Sequence, residues 1–221
     1  MAIKIQKTSD LTIDAVKSIV YGGAGTGKTR LCATAPNPII ISAESGLLSL
    51  ADVECDYIEI KTLKQLDEAY KALKDDNNYD TICLDSLSEI AEVLVAELKP
   101  QYKDGRQVYM ALADAMLPML RRFRDIKGKN TLFTSKLIVR QDEESGKISE
   151  ELLMPGKVLP AQIPYMVDEL FCLQADRKGV TFLQTSPDRM RFCKDRSGAL
   201  EAKEEPNMTA IINKIMAKAG R

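Results

Sequence analysis

An α/β fold is what these 221 residues predict: a mostly parallel central sheet flanked by helices, with an antiparallel extension at its C-terminal end. Three observations carry the expectation. A glycine turn joins a short apolar run to a helical stretch. Apolar, β-branched runs then alternate with amphipathic stretches that open on helix-capping residues. The last third of the chain offers short strands separated by turns. The length suits one well-buried domain over 1–221, with its core at about 18–196 and a closing helix at about 207–218.

The glycine turn comes first. Gly22-Gly23-Ala24-Gly25-Thr26-Gly27-Lys28-Thr29 fits the phosphate-binding loop G-x-x-x-x-G-K-[ST] at every fixed position. Ser18-Ile19-Val20-Tyr21 leads in as a buried strand, and Lys28-Thr29-Arg30-Leu31-Cys32-Ala33 leaves as a helix. Glycines let successive backbone N–H groups turn inward around a polyphosphate, and the helix adds its positive end. Residues 22–30, Arg30 included, are therefore the candidate ATP site. Lys28 would reach the β and γ phosphates, and the Thr29 hydroxyl would ligate the Mg2+ that accompanies them.

Composition bounds what can be attached to this loop. The chain is 45% hydrophobic and 29% charged with a formal net charge of -1. Bulk charge does not attract nucleic acid, so DNA contact would have to come from a local patch or from assembly. No apolar stretch reaches the length of a membrane span, and Met1-Ala2-Ile3-Lys4-Ile5-Gln6-Lys7 does not read as a signal peptide. A cytoplasmic protein without a membrane partner is expected. Cys32, Cys55, Cys83, Cys172 and Cys193 are widely spaced and read as reduced core residues. Histidine is absent, so acid–base chemistry must fall to carboxylates.

The other elements follow in order. Ile3-Lys4-Ile5 could add an edge strand, here or on a neighbouring subunit. After Pro36-Asn37-Pro38, the run Ile39-Ile40-Ile41 reads as a strand covered on both faces, ending at the loop Ser42-Ala43-Glu44-Ser45-Gly46. Tyr57 to Ile60 is a further strand. Thr62 caps a helix whose face is Leu63, Leu66, Ala69, Tyr70 and Leu73. Tyr79 to Ser86 is a mainly apolar strand ending in Asp85, the form of a Walker B strand whose carboxylate holds Mg2+. Ser86 and Glu89 form a capping box for the next helix.

Lys99 to Gln107 is polar and partly basic. It reads either as a solvated connection or as a nucleic-acid contact through Lys99, Tyr102, Lys103 and Arg106. A helix is expected from about Val108 to Asp125, kinked or staggered at Pro118. Asn130 to Ser135 reads as a core strand ending at Lys136, and 137–153 as a hairpin turning at Glu143-Glu144-Ser145-Gly146. Strands are expected at 168–174, 180–185 and 190–194, then a helix capped by Asn207.

These motifs together resemble the core of the RecA/RadA recombinases, from about Ser18 to Arg196. The resemblance implies a RecA-like P-loop ATPase and gives Glu44 the slot of the acidic residue that activates the attacking water. From the residues alone, Glu44 could equally cap a following helix on the surface. The small size and the closing Phe192-Cys193-Lys194-Asp195-Arg196-Ser197-Gly198 are similar to phage-encoded minimal RecA-like proteins, a group that includes single-strand annealing recombinases. Lys194 and Arg196 then resemble the basic-x-basic motif that reaches a neighbour's nucleotide; on spacing alone they are as readily a solvated edge-strand pair. The position that couples nucleotide state to DNA affinity, typically glutamine in RecA, is Ser135 or Lys136 here.

The resemblance implies single-stranded DNA as a partner, self-association head to tail as a ring or filament, and a single-strand DNA-binding protein as an accessory. It implies DNA contacts near the hairpin, where Arg140 and Lys147 are basic but Asp142, Glu143, Glu144, Glu150 and Glu151 are acidic. The competing reading is a nucleotide-gated interaction protein that does not touch DNA.

Overall fold

The computed structural model describes Lys7 and residues 13–44 and 47–220; Ile3 to Ile5, like Ser45 and Gly46 of the loop after the isoleucine run, lie outside the described residues. Strand β1 (Lys17–Gly22) leads into the glycine turn and α1 (Lys28–Cys32). The next strands are β2 (Pro38–Ser42), β3 (Asp56–Glu59), β4 (Thr81–Asp85) and β5 (Asn130–Gln141). Helices α2 (Leu63–Leu73), α3 (Leu87–Leu98) and α4 (Gly105–Arg124) connect them. Then come β6 (Ile148–Leu152), α5 (Val158–Gln162), β7 (Glu169–Ala175), β8 (Thr181–Gln184), β9 (Lys194–Asp195), β10 (Lys203–Glu204) and α6 (Met208–Lys218).

The sheet order is β10-β8-β7-β1-β5-β4-β2-β3. The six strands from β7 to β3 are parallel. Antiparallel β8, β9 and β10 close one side, and β6 pairs antiparallel with the far end of β5. The expected fold class is thus the observed one. Parallel strands need both faces covered. Ile19, Ile39, Ile41, Ile82 and Leu84 pack under α2, α3 and α4, while Val20, Ile40, Cys83 and Leu132 pack under α1 and α6. Each fully buried aliphatic side chain contributes about 1.5–3 kcal/mol, which is why these strands are continuous apolar runs.

Caps fix the helix starts. Thr62 Oγ1 accepts the Gln65 N–H at 3.2 Å, Ser86 Oγ that of Glu89 at 3.3 Å, and Asn207 Oδ1 that of Ala210 at 3.0 Å. Glu89 does not complete its capping box; its carboxylate holds Lys136 instead. Helix α4 begins three residues before the expected Val108, because Asp104 Oδ1 accepts the Arg106 N–H at 2.9 Å. It runs unbroken through Pro118, which is exposed together with Asp114, so water can reach the carbonyl that the proline leaves unpaired.

Core pairing of β5 with β1 ends at Lys136, as expected, and the hairpin pairing begins at Leu137. Strand β5 continues to Gln141, and its last five residues pair only with β6, from Leu137 opposite Leu152 to Gln141 opposite Ile148. The hairpin therefore grows directly out of a core strand. The strand expected at 190–194 reduces to Lys194–Asp195, because the Asp188 carboxylate binds the N–H groups of Met190 and Arg191, both at 2.7 Å, and holds a turn there. Helix α5 and strand β10 were not anticipated.

Candidate active site

Residues meet where β1, β4 and β2 end. Gly22 is the last residue of β1, packed so closely that a Cβ there would stand 2.7 Å from the Leu173 carbonyl oxygen and 2.9 Å from Thr26 Oγ1. Gly25 at φ 74° and Gly27 at φ 95° give the loop the left-handed turns that only glycine adopts freely. Thr26 Oγ1 donates to the Gly23 carbonyl at 2.9 Å. Lys28 folds back over the loop, its Nζ donating to the carbonyls of Gly22 at 3.0 Å and Gly23 at 2.8 Å.

Asp85, buried at the tip of β4, is held from two sides. Thr29 Oγ1 donates to Asp85 Oδ2 at 2.6 Å, and the Thr134 hydroxyl donates to Oδ1. The loop helix, β4 and β5 thus converge on one carboxylate. Thr134 was not among the expected residues; its only signal was a hydroxyl inside the buried strand Thr131-Leu132-Phe133-Thr134.

Glu44 follows β2, its N–H donating to Ser42 Oγ at 3.1 Å. Burial raises its pKa, reinforced by Asp85 and Glu89 and opposed by Lys136 and Lys28. Burial lowers the Lys28 pKa against the pull of Asp85 and Glu44. A cleft of about 550 Å³ unites Ala24, Gly25, Gly27, Lys28, Thr29, Arg30, Glu44, Asp85 and Lys136. Arg30 stands at the rim, its guanidinium against Asp52 at 2.8 and 3.2 Å and the Ser49 carbonyl at 3.1 Å.

The remaining expected residues lie elsewhere or divide. Lys136 lines the cleft, but the Ser135 hydroxyl is turned away from it, 3.1 Å from Ser88 Oγ. Lys194 and Arg196 are at the opposite, amino edge of the sheet, where β9 pairs with Glu169 and Leu170. There Lys194 Nζ donates to the carbonyls of Pro164 at 2.8 Å and Val167 at 2.6 Å, and Arg196 pairs with Asp168 at 3.2 Å. Neither can reach this chain's own glycine turn.

Of the basic candidates, Arg140 pairs with Glu151 at 3.2 Å, and Lys147 is exposed in the hairpin. Lys99, Tyr102 and Lys103 are exposed after α3, and Arg106 lies in the first turn of α4. The acidic hairpin is more occupied than its sequence implied. Asp142 caps the turn through Ser145 at 2.7 Å, and Glu150 holds Arg191 at 2.6 and 3.2 Å.

A family profile described as an AAA domain, AAA_24, matches residues 14–197, from the approach to β1 past β9. The chain belongs to this AAA domain family. It is accordingly a nucleotide-binding P-loop ATPase. No curated protein matches. Among solved structures, a KaiC-like protein of the hyperthermophilic archaeon Pyrococcus horikoshii is similar over 76% of each chain, at 13% identity and a TM-score of 0.43.

The oxygens gathered here suit a hard cation. The Thr29 hydroxyl and the Asp85 carboxylate already touch, and Mg2+ favours a carboxylate and a hydroxyl beside substrate phosphates. Among the described residues no helix is long and apolar enough to cross a membrane.

Proposed function

We propose that this AAA domain protein hydrolyses ATP as a RecA-like, phage-encoded recombinase that assembles head to tail on single-stranded DNA and promotes annealing. Bound Mg2+, held by Thr29 and Asp85, would neutralise charge on the β and γ phosphates. The loop amides and Lys28 orient the triphosphate. Glu44 orients a water against the γ-phosphorus and takes its proton as the new P–O bond forms and the bond to the β–γ bridging oxygen breaks. The raised pKa of Glu44 makes it a stronger base than an unperturbed carboxylate.

One observation supports the DNA half of this reading above the others. Strand β5 contacts Asp85 through Thr134, lines the cleft through Lys136, and then becomes the hairpin that carries Arg140 and Lys147. A nucleotide-dependent shift at 134–136 would thus be transmitted along a single strand to phosphate-binding side chains. Pairing of Glu151 with Arg140 and of Glu150 with Arg191 also removes part of the acidic repulsion against DNA. Arg196, exposed at the far edge in a pair with Asp168, would exchange that partner for a neighbour's nucleotide in a head-to-tail assembly.

A salt-dependent mobility shift of labelled single-stranded DNA, with and without ATP and Mg2+, tests the reading. Binding that needs ATP and weakens steeply with salt supports it. No shift at low salt under any nucleotide condition overturns the DNA role and leaves the nucleotide-gated interaction protein, which the net charge of -1 favours.

A further inference from the structure

Two aromatic side chains outside the nucleotide cleft stand open to solvent. Tyr165, shortly after α5, is 81% exposed, and Phe192, shortly before β9, is 51% exposed. Both line a cavity of about 280 Å³ whose other walls are largely apolar, among them Leu152, Pro160 and Pro164. That volume is at the lower limit of small-molecule sites, so the cavity suits a flat fragment of a larger ligand. Its floor is fixed: Tyr21, the residue before Gly22, places its hydroxyl 3.2 Å from the Phe192 carbonyl and 3.4 Å from that of Glu150.

Charge lies beside it. A second cavity shares Glu150, Glu151 and Phe192 with the first and is lined also by Lys147, Arg189 and Arg191. Its carboxylates are taken: Arg191 holds Glu150 at 2.6 Å and Asp188 at 3.0 Å, and Arg140 holds Glu151 at 3.2 Å. Lys147 and Arg189 are exposed and make no ion pair among the described residues, so two cations are left over next to the aromatic walls.

We propose that the two cavities form a subsite for single-stranded DNA, in which one unstacked base lies against Tyr165 and Phe192 and the flanking phosphates lie against Lys147 and Arg189. The inference rests on the DNA-binding reading and gives it a site; neither aromatic, nor Arg189, is among the contacts the sequence suggested. Three arguments carry it. A planar apolar group joined to an anion is the chemistry of a nucleotide unit, and base–aromatic stacking serves any base. A duplex keeps its bases paired and stacked, so a pocket for one base favours the single strand. Phe192 is tied through Tyr21 to the strand that ends in the phosphate loop, and Lys147 stands in the turn between β5 and β6, so both halves adjoin elements of the nucleotide cleft.

Two labelled oligonucleotides of equal length, one normal and one abasic, are titrated with the full chain in ATP and Mg2+ and followed by fluorescence anisotropy. The ratio of their dissociation constants reads the subsite. The wild type is expected to prefer the normal strand about tenfold, or roughly 1.4 kcal/mol. Tyr165→Ala and Phe192→Ala each remove most of that preference, Tyr165→Phe and Phe192→Tyr retain it, and ATP affinity stays unchanged. Where Phe192→Ala costs stability, the more exposed Tyr165→Ala keeps the test. Arg189→Ala lowers the salt dependence by about one phosphate contact and leaves the ratio as it was.

A ratio near one in the wild type, or one that the alanine variants leave intact, overturns the subsite while binding of the normal strand leaves the DNA reading standing. Thymidine monophosphate that competes as strongly as the oligonucleotide shows a site for free nucleotides instead. A changed oligomeric state in Tyr165→Ala with an unaltered ratio shows an interface between copies of the chain; either result overturns the proposal. Wild-type protein that binds neither oligonucleotide at low salt overturns the DNA reading itself, so the failures are distinguishable.

Discussion

At the amino edge of the sheet, Lys17, Lys129 and Lys194 each turn their ammonium onto main-chain carbonyls: Ile126 and Lys129, Asp76 and Tyr79, Pro164 and Val167. At the carboxyl edge, Lys28 bonds carbonyls of the phosphate loop itself and Lys136 bonds carboxylates, and both line an open cleft. The first three tie loops and helix ends to the sheet. The other two sit among partners that an incoming anion can replace. Identical side chains thus stabilise the fold at one edge and leave the other ready for a ligand, and the open cleft beside Lys28 and Lys136 makes the difference. Substitutions at the two edges should therefore separate, with activity lost at one and stability at the other.

The largest separation is expected at Glu44. Glu44→Gln keeps the shape and removes the base, so phosphate release should fall by about 10²–10⁴-fold while ATP still binds. A wild-type rate in that variant would return Glu44 to the role of a surface cap. Lys28→Ala comes next. Losing the one ammonium folded over the loop should weaken nucleotide binding by about 100-fold, or roughly 2.7 kcal/mol, with little change in melting temperature. A loss of folding instead would place Lys28 with the structural lysines of the amino edge.

Lys194→Met reverses the pattern. Two carbonyls lose a charged donor, at about 2 kcal/mol, so thermal denaturation should move down by about 4–8 °C while ATP affinity stays within about twofold. Arg196→Ala, which breaks only an exposed pair with Asp168, should leave stability within about 0.5 kcal/mol. If Arg196 acts across the interface, the same variant abolishes the rise of hydrolysis with protein concentration. Were that rise to persist in Arg196→Ala, the role across the interface would be excluded.

The carboxyl edge was far more legible in the sequence than the amino edge. Gly22 to Thr29 declare themselves because a phosphate cradle fixes both residue type and spacing, and Asp85 because it ends an apolar run before the helix cap Ser86. Thr134 was hidden: a threonine in a strand reads as ordinary β-branched filling until its hydroxyl is seen on Asp85. Lys194 was misleading for a related reason. Its carbonyl acceptors lie some 30 residues back and have no side-chain signature, so only spacing and resemblance could speak for it. Helix α5 was obscured by Pro160 within it, and the start of α4 by Asp104-Gly105, a pair that suggests a turn as readily as a cap.

The effect most particular to the amino edge is a dependence on pH. Glu169, beside β9, is 1% exposed, and its Oε2 has no hydrogen-bond partner among the described residues. Its Oε1 accepts the Ser197 N–H at 3.2 Å. Burial, reinforced by Asp195, pushes its pKa from 4.5 up to about 8. Asp168, Lys194 and Arg196 are also among its charged surroundings. Between those two pH values the folded chain holds a proton on Glu169 that the unfolded chain has released. Linkage then makes stability fall as pH rises through the window and level off above it. Lys17, lowered to about 8 from 10.5, acts only above that range, and in the opposite sense. Glu169→Gln keeps the acceptor for Ser197 and removes the titration, so its melting temperature should decline less than the wild type's between about pH 4.5 and 8. If the two profiles run parallel there, Glu169 is ionised in the folded protein and this part of the amino edge is more hydrated than its burial implies.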